Sequence, residues 1–225
     1  MMASNTCATG EWYHCYNRGT DKRVVFEDTA DYERFLTLLY VSNGIRPIRI
    51  SDQRTHNLHA FLEDESLDRG TPLVEIGAYA LMPNHPHLVL KQMVDGGIAR
   101  FMQKIFTGYT MYFNLKNGRT GALFAGTYKS RHVSDDRYLK QVISYVLLNP
   151  AELFAREWKK GVVNISLIER KLLAYRYSSL PDFFESKRPE NKIVTDLTEY
   201  YDAKPTLNEM LSDAISYHRE HLTEV

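Results

Sequence analysis

The sequence predicts an α+β fold: one antiparallel sheet with helices packed on one of its faces. Three observations carry this. Short segments with strand-like patterning fall at 11–17, 74–82, 85–93 and 127–133. Segments with apolar residues at helical spacing fall at 31–43, 98–115 and 135–148. The two types are mixed along the chain, and only Pro83-Asn84 separates the second and third strands, so that pair forms an antiparallel hairpin.

The first strand, Glu11 to Asn17, is short and aromatic-rich, and Arg18-Gly19-Thr20-Asp21 reads as a turn. The helix at 31–43 carries Tyr32, Phe35, Leu36, Leu38 and Leu39, with Thr29 or Asp31 as its cap and Asn43-Gly44 as its end. Residues 45–51 alternate like a strand, and 56–62 read as a further short strand or its continuation. Residues 63–71 form an acidic loop. The helix at 98–115 places Phe101, Ile105, Tyr109 and Tyr112 on one side. A Gly-rich loop follows at 117–126. Ser134 is the expected N-cap of the helix at 135–148, which Asn149-Pro150 ends. Beyond Pro150, one helical stretch is expected within 151–179, and helices at 193–201 and 207–218. A boundary near Ser186–Pro189 divides a main domain, 1–186, from an acidic helical extension, 187–225.

Composition bounds the class. The 225 residues are 44% hydrophobic and 25% charged, ordinary for a globular chain. No segment approaches roughly 18 uninterrupted apolar residues, so no membrane partner is expected. The N-terminus lacks the pattern of a signal peptide, and Cys7 and Cys15 cannot build a disulfide framework; together these point to the cytoplasm. Basic and acidic residues number 28 each, and a net charge of zero speaks at first against nucleic acid. Resolved along the chain, the balance changes. Residues 100–140 hold eight basic and two acidic side chains, a net +6 interleaved with aromatics. Residues 181–225 hold ten acids and five bases, a net −5. A basic aromatic stretch suits a polyanion, although a solvated helix face over a buried aromatic stripe fits the same pattern.

Two local features carry chemistry. His85-Pro86-His87 sits at the start of a strand, where residues i and i+2 share a face about 6.6 Å apart. Two imidazoles so placed can reach one divalent cation. The pair fits equally two half-buried polar side chains beside a turn. In Tyr145–Pro150 (YVLLNP), Tyr145 and Asn149 are an i,i+4 pair on one helix face. The Asn149 amide oxygen can complete a metal site, and a cation there would favour the Tyr145 phenolate. The plainer alternative is a core tyrosine and a helix-capping asparagine.

Taken in chain order, these segments resemble the single-tyrosine HUH transposases, and within them the REP-associated tyrosine transposases. The resemblance runs from Tyr13 to about Ser179. It rests on Tyr13-His14-Cys15-Tyr16-Asn17-Arg18-Gly19, Asp31–Leu36, Tyr79–Leu88, Gly118–Gly121 with Phe124, Gly126 and Lys129-Ser130, Tyr145–Pro150, and Tyr177-Ser178-Ser179. It departs at Ala151, where relatives often carry Val. It implies a ferredoxin-like antiparallel sheet. It also implies His85, His87 and Asn149 as ligands of Mg²⁺ or Mn²⁺, and Tyr145 as the nucleophile that joins single-stranded or hairpin DNA through a 5′-phosphotyrosine. Arg18, Lys129, Arg131 and Arg119 are the candidate DNA contacts, with ordinary surface charge as the alternative. Catalysis within one chain and across a homodimer both remain open, as does the role of the extension. A metal-dependent phosphodiesterase that does not need Tyr145, and a non-catalytic nucleic-acid-binding module, are the competing readings.

Overall fold

A computed structural model describes residues 7–50, 57–161, 164–185 and 188–221. The fold is α+β. Four antiparallel strands, β1 (Trp12–Tyr16), β2 (Val74–Met82), β3 (His85–Gln92) and β4 (Lys129–Val133), form one sheet in the order β2-β3-β1-β4. Seven α-helices accompany it among the described residues: α1 (Thr29–Val41), α2 (Leu58–Glu63), α3 (Gly97–Lys116), α4 (Asp136–Leu148), α5 (Ile165–Leu173), α6 (Leu180–Glu185) and α7 (Leu207–His221). With α1 between β1 and β2 and α3 between β3 and β4, the sheet has ferredoxin-like connectivity. None of these helices is long and apolar enough to cross a membrane.

Helices cover both faces of the sheet rather than the one face expected. Tyr13 and Cys15 of β1 and Leu88 and Leu90 of β3 join Phe35, Leu39, Phe101, Ile105 and Tyr109 of α1 and α3 in one core. Trp12, Val89 and Val133 join Val142, Ile143 and Val146 of α4 and Met210, Ala214 and Tyr217 of α7 in a second. The reason lies in composition: β1 and β3 are buried along nearly their whole length, so the faces on both sides need cover. α4 and the chain after Pro150 supply it, and α7 lies along α4.

β2 changes face midway. Ile76 pairs with Leu90 but Ala78 pairs with Val89, so Gly77 is the extra residue of a bulge. Val74 and Ile76 thus point to the α1/α3 core, whereas Ala78 and Ala80 point to the α4 core. Gly77 also lets the Trp12 ring close in: a Cβ there would lie 2.9 Å from the indole. The outer edge of β2 is closed by the Tyr177-Ser178-Ser179 segment. Leu81 N donates to Tyr177 O (2.9 Å), and Ser179 N donates to Tyr79 O (3.0 Å). This gives that motif a structural job, since an uncovered edge invites pairing with other chains.

Several local expectations are corrected. Residues 45–50 form no strand: Ile45 N and Arg46 N donate to Thr71 O and Arg69 O (both 3.0 Å), but Pro47 has no N–H to continue the pairing. The second expected strand is instead the helix α2. The Asn57 side chain caps it by accepting from His59 N (2.8 Å), and Leu58, Phe61 and Leu62 bury its inner face. Residues 51–56 lie outside the described residues, as does Ser186 at the expected domain boundary. The 193–201 helix resolves into two short 3₁₀ turns, Pro189–Ile193 and Thr198–Tyr200, the second started by Asp196 accepting from Thr198 N (2.9 Å). The caps of α1 and α4 are Asp28 and Asp135, each accepting from the amide three residues on (3.1 and 2.8 Å). Ser134 instead donates to the capping Asp135 carboxylate (3.0 Å). α4 ends at Leu148 with Asn149 as its C-cap, as expected. Asn149 keeps helical dihedrals and the chain tightens into a 3₁₀ turn, Asn149–Leu153, whose first turn tolerates proline.

Gly77→Ala should destabilise the fold by about 1–3 kcal/mol, the usual cost of overpacking a filled core. Equilibrium denaturant unfolding measures it, and a neutral result would refute the close approach to Trp12.

Candidate functional site

The site lies on the α4 face of the sheet. Alternation places His14 and Tyr16 of β1, His87 of β3 and Lys129 and Arg131 of β4 on this side, since Tyr16 pairs with both His87 and Lys129, and His14 with Arg131. His85 begins β3 directly after the two-residue turn. That turn is held from below: Pro83 O accepts from Val25 N and Phe26 N (2.8 and 3.1 Å), and Asn84 O accepts from Gly19 N (2.9 Å). The histidine pair is thus fixed at a sheet end by backbone bonds.

The structure brings His85, His87 and Tyr145 together. The His85 and His87 rings stand edge to face, 4.6 Å between centroids, and the Tyr145 ring lies 5.8 Å from His87. Tyr145 is buried, held against Tyr217 (4.8 Å), Trp158 (6.3 Å) and His218 (6.4 Å). Asn149 is fully buried at the C-cap of α4, one turn beyond Tyr145. Its amide favours ionisation of the Tyr145 phenol, but neither of its polar atoms reaches hydrogen-bond geometry with any group.

The imidazoles are arranged with their Nδ1 atoms occupied. His85 Nδ1 lies 2.5 Å from Asn84 Oδ1, an acceptor, so that nitrogen carries the hydrogen and Nε2 is bare. His87 Nδ1 lies 2.9 Å from His14 Nε2, and His14 Nδ1 lies 2.8 Å from the Tyr217 hydroxyl. His87 Nε2 is buried with no partner. Among the described residues no group of three or more His, Cys, Asp or Glu side chains is placed to hold a metal, so any third protein ligand here must come from another residue type.

Electrostatics keep the imidazoles neutral. Burial, reinforced by Arg131 and His85, lowers His14 to about 3. Burial followed by the Arg18 charge lowers His85 to about 4; the ring keeps some solvent access, yet its surroundings are dense enough for desolvation to dominate. His87 falls well below the ordinary value through burial and its histidine neighbours. Burial raises the Tyr145 phenol, opposed by Asn149 and by Arg18. A neutral imidazole is the form that binds metal, so these shifts leave both nitrogens available at neutral pH.

The candidate DNA contacts separate. Arg18 is exposed and its charge is felt at His85, His87 and Tyr145. Lys129 is exposed and Arg131 half-buried on the site face of β4. Arg119 is not brought there. Its guanidinium donates to Ala122 O within its own loop (3.3 Å) and lies 5.7 Å from the Phe113 ring, on the α3 side. Much of the basic middle is also committed elsewhere: Lys104 donates to Gly44 O (2.6 Å), and Lys116 pairs with Asp28 and Asp31 (2.8 and 2.7 Å).

Sequence reasoning missed His14, Tyr217, His218, Trp158 and Lys159. Strand alternation was the available signal for His14, which shares parity with Trp12 and Tyr16. Trp158 and Lys159 come from the irregular chain after Pro150, and Tyr217 and His218 from the end of the helix expected at 207–218, where nothing marked them as facing Tyr145. Lys159 pairs with Glu152 (2.6 Å), sits 5.7 Å from the Tyr145 ring and adds positive charge at both histidines.

No family model matches the chain, and no curated protein matches it. Among solved structures it is similar to that of a REP-associated tyrosine transposase bound to a REP hairpin, with 13% identity, 92% of this chain and 97% of that chain covered, and a TM-score of 0.47. Likeness at 13% identity says nothing of activity.

The buried histidines give the fold an acid sensitivity. Since His14 has a folded-state value of about 3 against an ordinary 6.5, the unfolded chain binds more protons between those limits. This contribution is intact above about pH 6.5 and is lost progressively as pH falls toward 3. The melting temperature should therefore drop from pH 7 to pH 4, with a shallower drop in His14→Gln. Equal slopes in the two proteins would contradict the assignment.

Proposed function

We propose that this chain is a DNA strand transferase that cleaves and rejoins single-stranded DNA, at hairpin-associated sites, with Tyr145 as nucleophile and His85, His87 and Asn149 as ligands of Mg²⁺ or Mn²⁺. The observation that carries the reading is the convergence of one tyrosine with unpaired donors in a buried site. His87 Nε2 and the Asn149 side-chain atoms lie buried without hydrogen bonds, and the His85 ring, whose Nε2 is bare, stands 4.6 Å from that of His87. Buried polar atoms are rarely left unpaired, and two imidazole nitrogens with an amide oxygen are a donor set that a divalent cation accepts. When bound, the cation would supply Lewis-acid polarisation of a phosphodiester oxygen.

The chain's own residues do the rest. The Tyr145 oxygen forms a bond to phosphorus while the bond from phosphorus to the 3′ oxygen breaks, leaving a 5′-phosphotyrosine and a 3′-OH. The phenol loses a proton in this step and the 3′ oxygen gains one. Attack by a second 3′-OH on the phosphotyrosine reverses the sequence and joins a new strand, so the phosphoester link is conserved without a nucleotide cofactor. Burial holds Tyr145 protonated at rest, while Arg18 and Asn149 act in the other direction. Lys129 and Arg131, on the site face of β4, are the proposed contacts to the DNA backbone.

Incubation with hairpin-bearing single-stranded DNA and Mn²⁺ tests the reading. A protein–DNA adduct that survives denaturant is expected, and Tyr145→Phe should abolish it. Cleavage without adduct that persists in Tyr145→Phe would establish a phosphodiesterase and overturn the proposal.

Single-stranded DNA affinity should also fall with salt. Each phosphate contact contributes about −0.7 to the slope of log K against log salt. Replacing both Lys129 and Arg131 with Glu should flatten the slope by about 1.4. An unchanged slope would remove these two residues from the interface.

A further inference from the structure

The buried hydrogen bonds that begin at His87 continue off the sheet. We propose that His14 and Tyr217 are positioning residues for His87: the Tyr217 hydroxyl, acting through His14, fixes the rotation and tautomer of the His87 imidazole so that Nε2 is left as a bare donor. The inference rests on the reading of His87 as a metal ligand and adds α7 to the machinery of that site.

The geometry is continuous. His87 Nδ1 to His14 Nε2 is 2.9 Å, and His14 Nδ1 to the Tyr217 hydroxyl is 2.8 Å. His87, His14 and Tyr217 are 6%, 1% and 0% exposed, so water does not compete for these bonds. The imidazoles also stack, with centroids 5.1 Å apart.

Proton accounting gives the chain a direction. A neutral imidazole carries one N–H. If the His87 hydrogen is on Nδ1, it donates to His14 Nε2. The His14 hydrogen is then on Nδ1 and donates to the Tyr217 oxygen, whose own hydrogen is free to turn toward the adjacent Tyr138 phenol. Reversal would have Tyr217 donating to His14 Nδ1, His14 Nε2 donating to His87 Nδ1, and the His87 hydrogen on Nε2. That hydrogen would be a buried donor with nothing to accept it, because His87 Nε2 has no partner. The first arrangement leaves a lone pair there instead, the form a cation requires. Hydrogen bonds of this kind behind a ligating histidine set ring orientation and tautomer.

The hydroxyl is the informative atom. Tyr217 packs against Tyr145 (4.8 Å) and Tyr138 (5.7 Å) inside an apolar core, where a phenylalanine would fill the same space. The phenol oxygen adds a partner for His14, 203 residues away in the chain.

Mn²⁺ affinity, measured by electron paramagnetic resonance on the full chain, and the His87 tautomer, read from ¹⁵N ring shifts without metal, test this together. Loss of an outer-shell partner typically costs 10–100-fold in metal affinity. Tyr217→Phe, which keeps the ring packing, and His14→Leu should each weaken Mn²⁺ binding at least about tenfold. His14→Gln, whose amide oxygen can still accept from His87 Nδ1, should recover most of the loss. Wild type should show His87 protonated at Nδ1, and Tyr217→Phe should show a tautomer mixture. If wild type binds Mn²⁺ and Tyr217→Phe binds it equally well with the tautomer unchanged, the positioning role is overturned and the metal reading stands. If wild type binds no Mn²⁺, the metal reading fails, while the tautomer comparison still decides whether the relay orders His87.

Discussion

Side-chain alternation along β1 and β3 is the constraint on which the rest of this molecule depends. Both strands are inner strands of the sheet, so each residue must face one of two covered layers. One parity sends Tyr13, Cys15, Leu88 and Leu90 into an apolar core against α1 and α3. The other sends His14, Tyr16 and His87 to the α4 side, where polar atoms are buried among Trp12, Val89 and Tyr145. A one-residue slip of either strand would exchange the layers, placing imidazoles in the α1/α3 core and leucines at the site. The apolar layer therefore acts as the register lock for the polar one. The Gly77 bulge belongs to the same logic, because it lets β2 contribute large side chains to the first core and only alanines beneath α4, where the helix must approach closely.

The second layer carries a cost. Asn149, Ser144 and His87 all hold buried polar atoms without partners. In a purely structural core, such atoms are selected against at about 1–3 kcal/mol each. Asn149 and Ser144 lie within one turn of Tyr145 along the chain and the His87 ring is 5.8 Å from its ring, a placement expected where local rules are broken for function. On the α1/α3 side Asp31 is held by Lys116 and by Glu27 N and the Tyr109 hydroxyl donates to Val25 O, but Arg34 Nε on α1 and Asn114 Oδ1 on α3 also make no hydrogen bond.

The sheet and its four strands were legible because their signals are local. β2 and β3 are long, apolar and joined by a turn that proline and asparagine announce; α3 and α4 have clear helical periodicity. The histidine pair and the tyrosine–asparagine pair were legible for the same reason, since each is an i,i+2 or i,i+4 relation within one element. What failed was partly local and partly not. Asn57 turned an expected strand into a helix through a cap that outweighed apparent alternation, and Pro47 ended a strand that hydrophobic pattern alone suggested. The helices α4 and α7 of the second layer were expected, but their packing on the other face of the sheet was hidden, as were the 3₁₀ turns and short helices after Pro150, which have no long period. Tyr217 was hidden more deeply, as nothing in α7 marks one buried tyrosine as the partner of a histidine on β1.

Charge illustrates why position outweighs totals. The neutral sum divides into a basic middle and an acidic end, but the fold divides the middle again. Lys104 and Lys116 satisfy backbone carbonyls and buried carboxylates, and Arg119 turns onto its own loop. The cations that remain in reach of the histidines are Arg18, Lys129, Arg131 and, from outside the basic stretch, Lys159. Arg18 and Lys129 are exposed and Arg131 is half-buried, so solvent screens them in part, whereas the imidazoles they face are buried. The Arg18 and Lys159 charges that would draw a phosphate toward Tyr145 add to burial, the larger cause, in keeping His85 and His87 unprotonated. Burial of the two imidazoles and the positive charge around them thus act in one direction, both favouring the neutral rings.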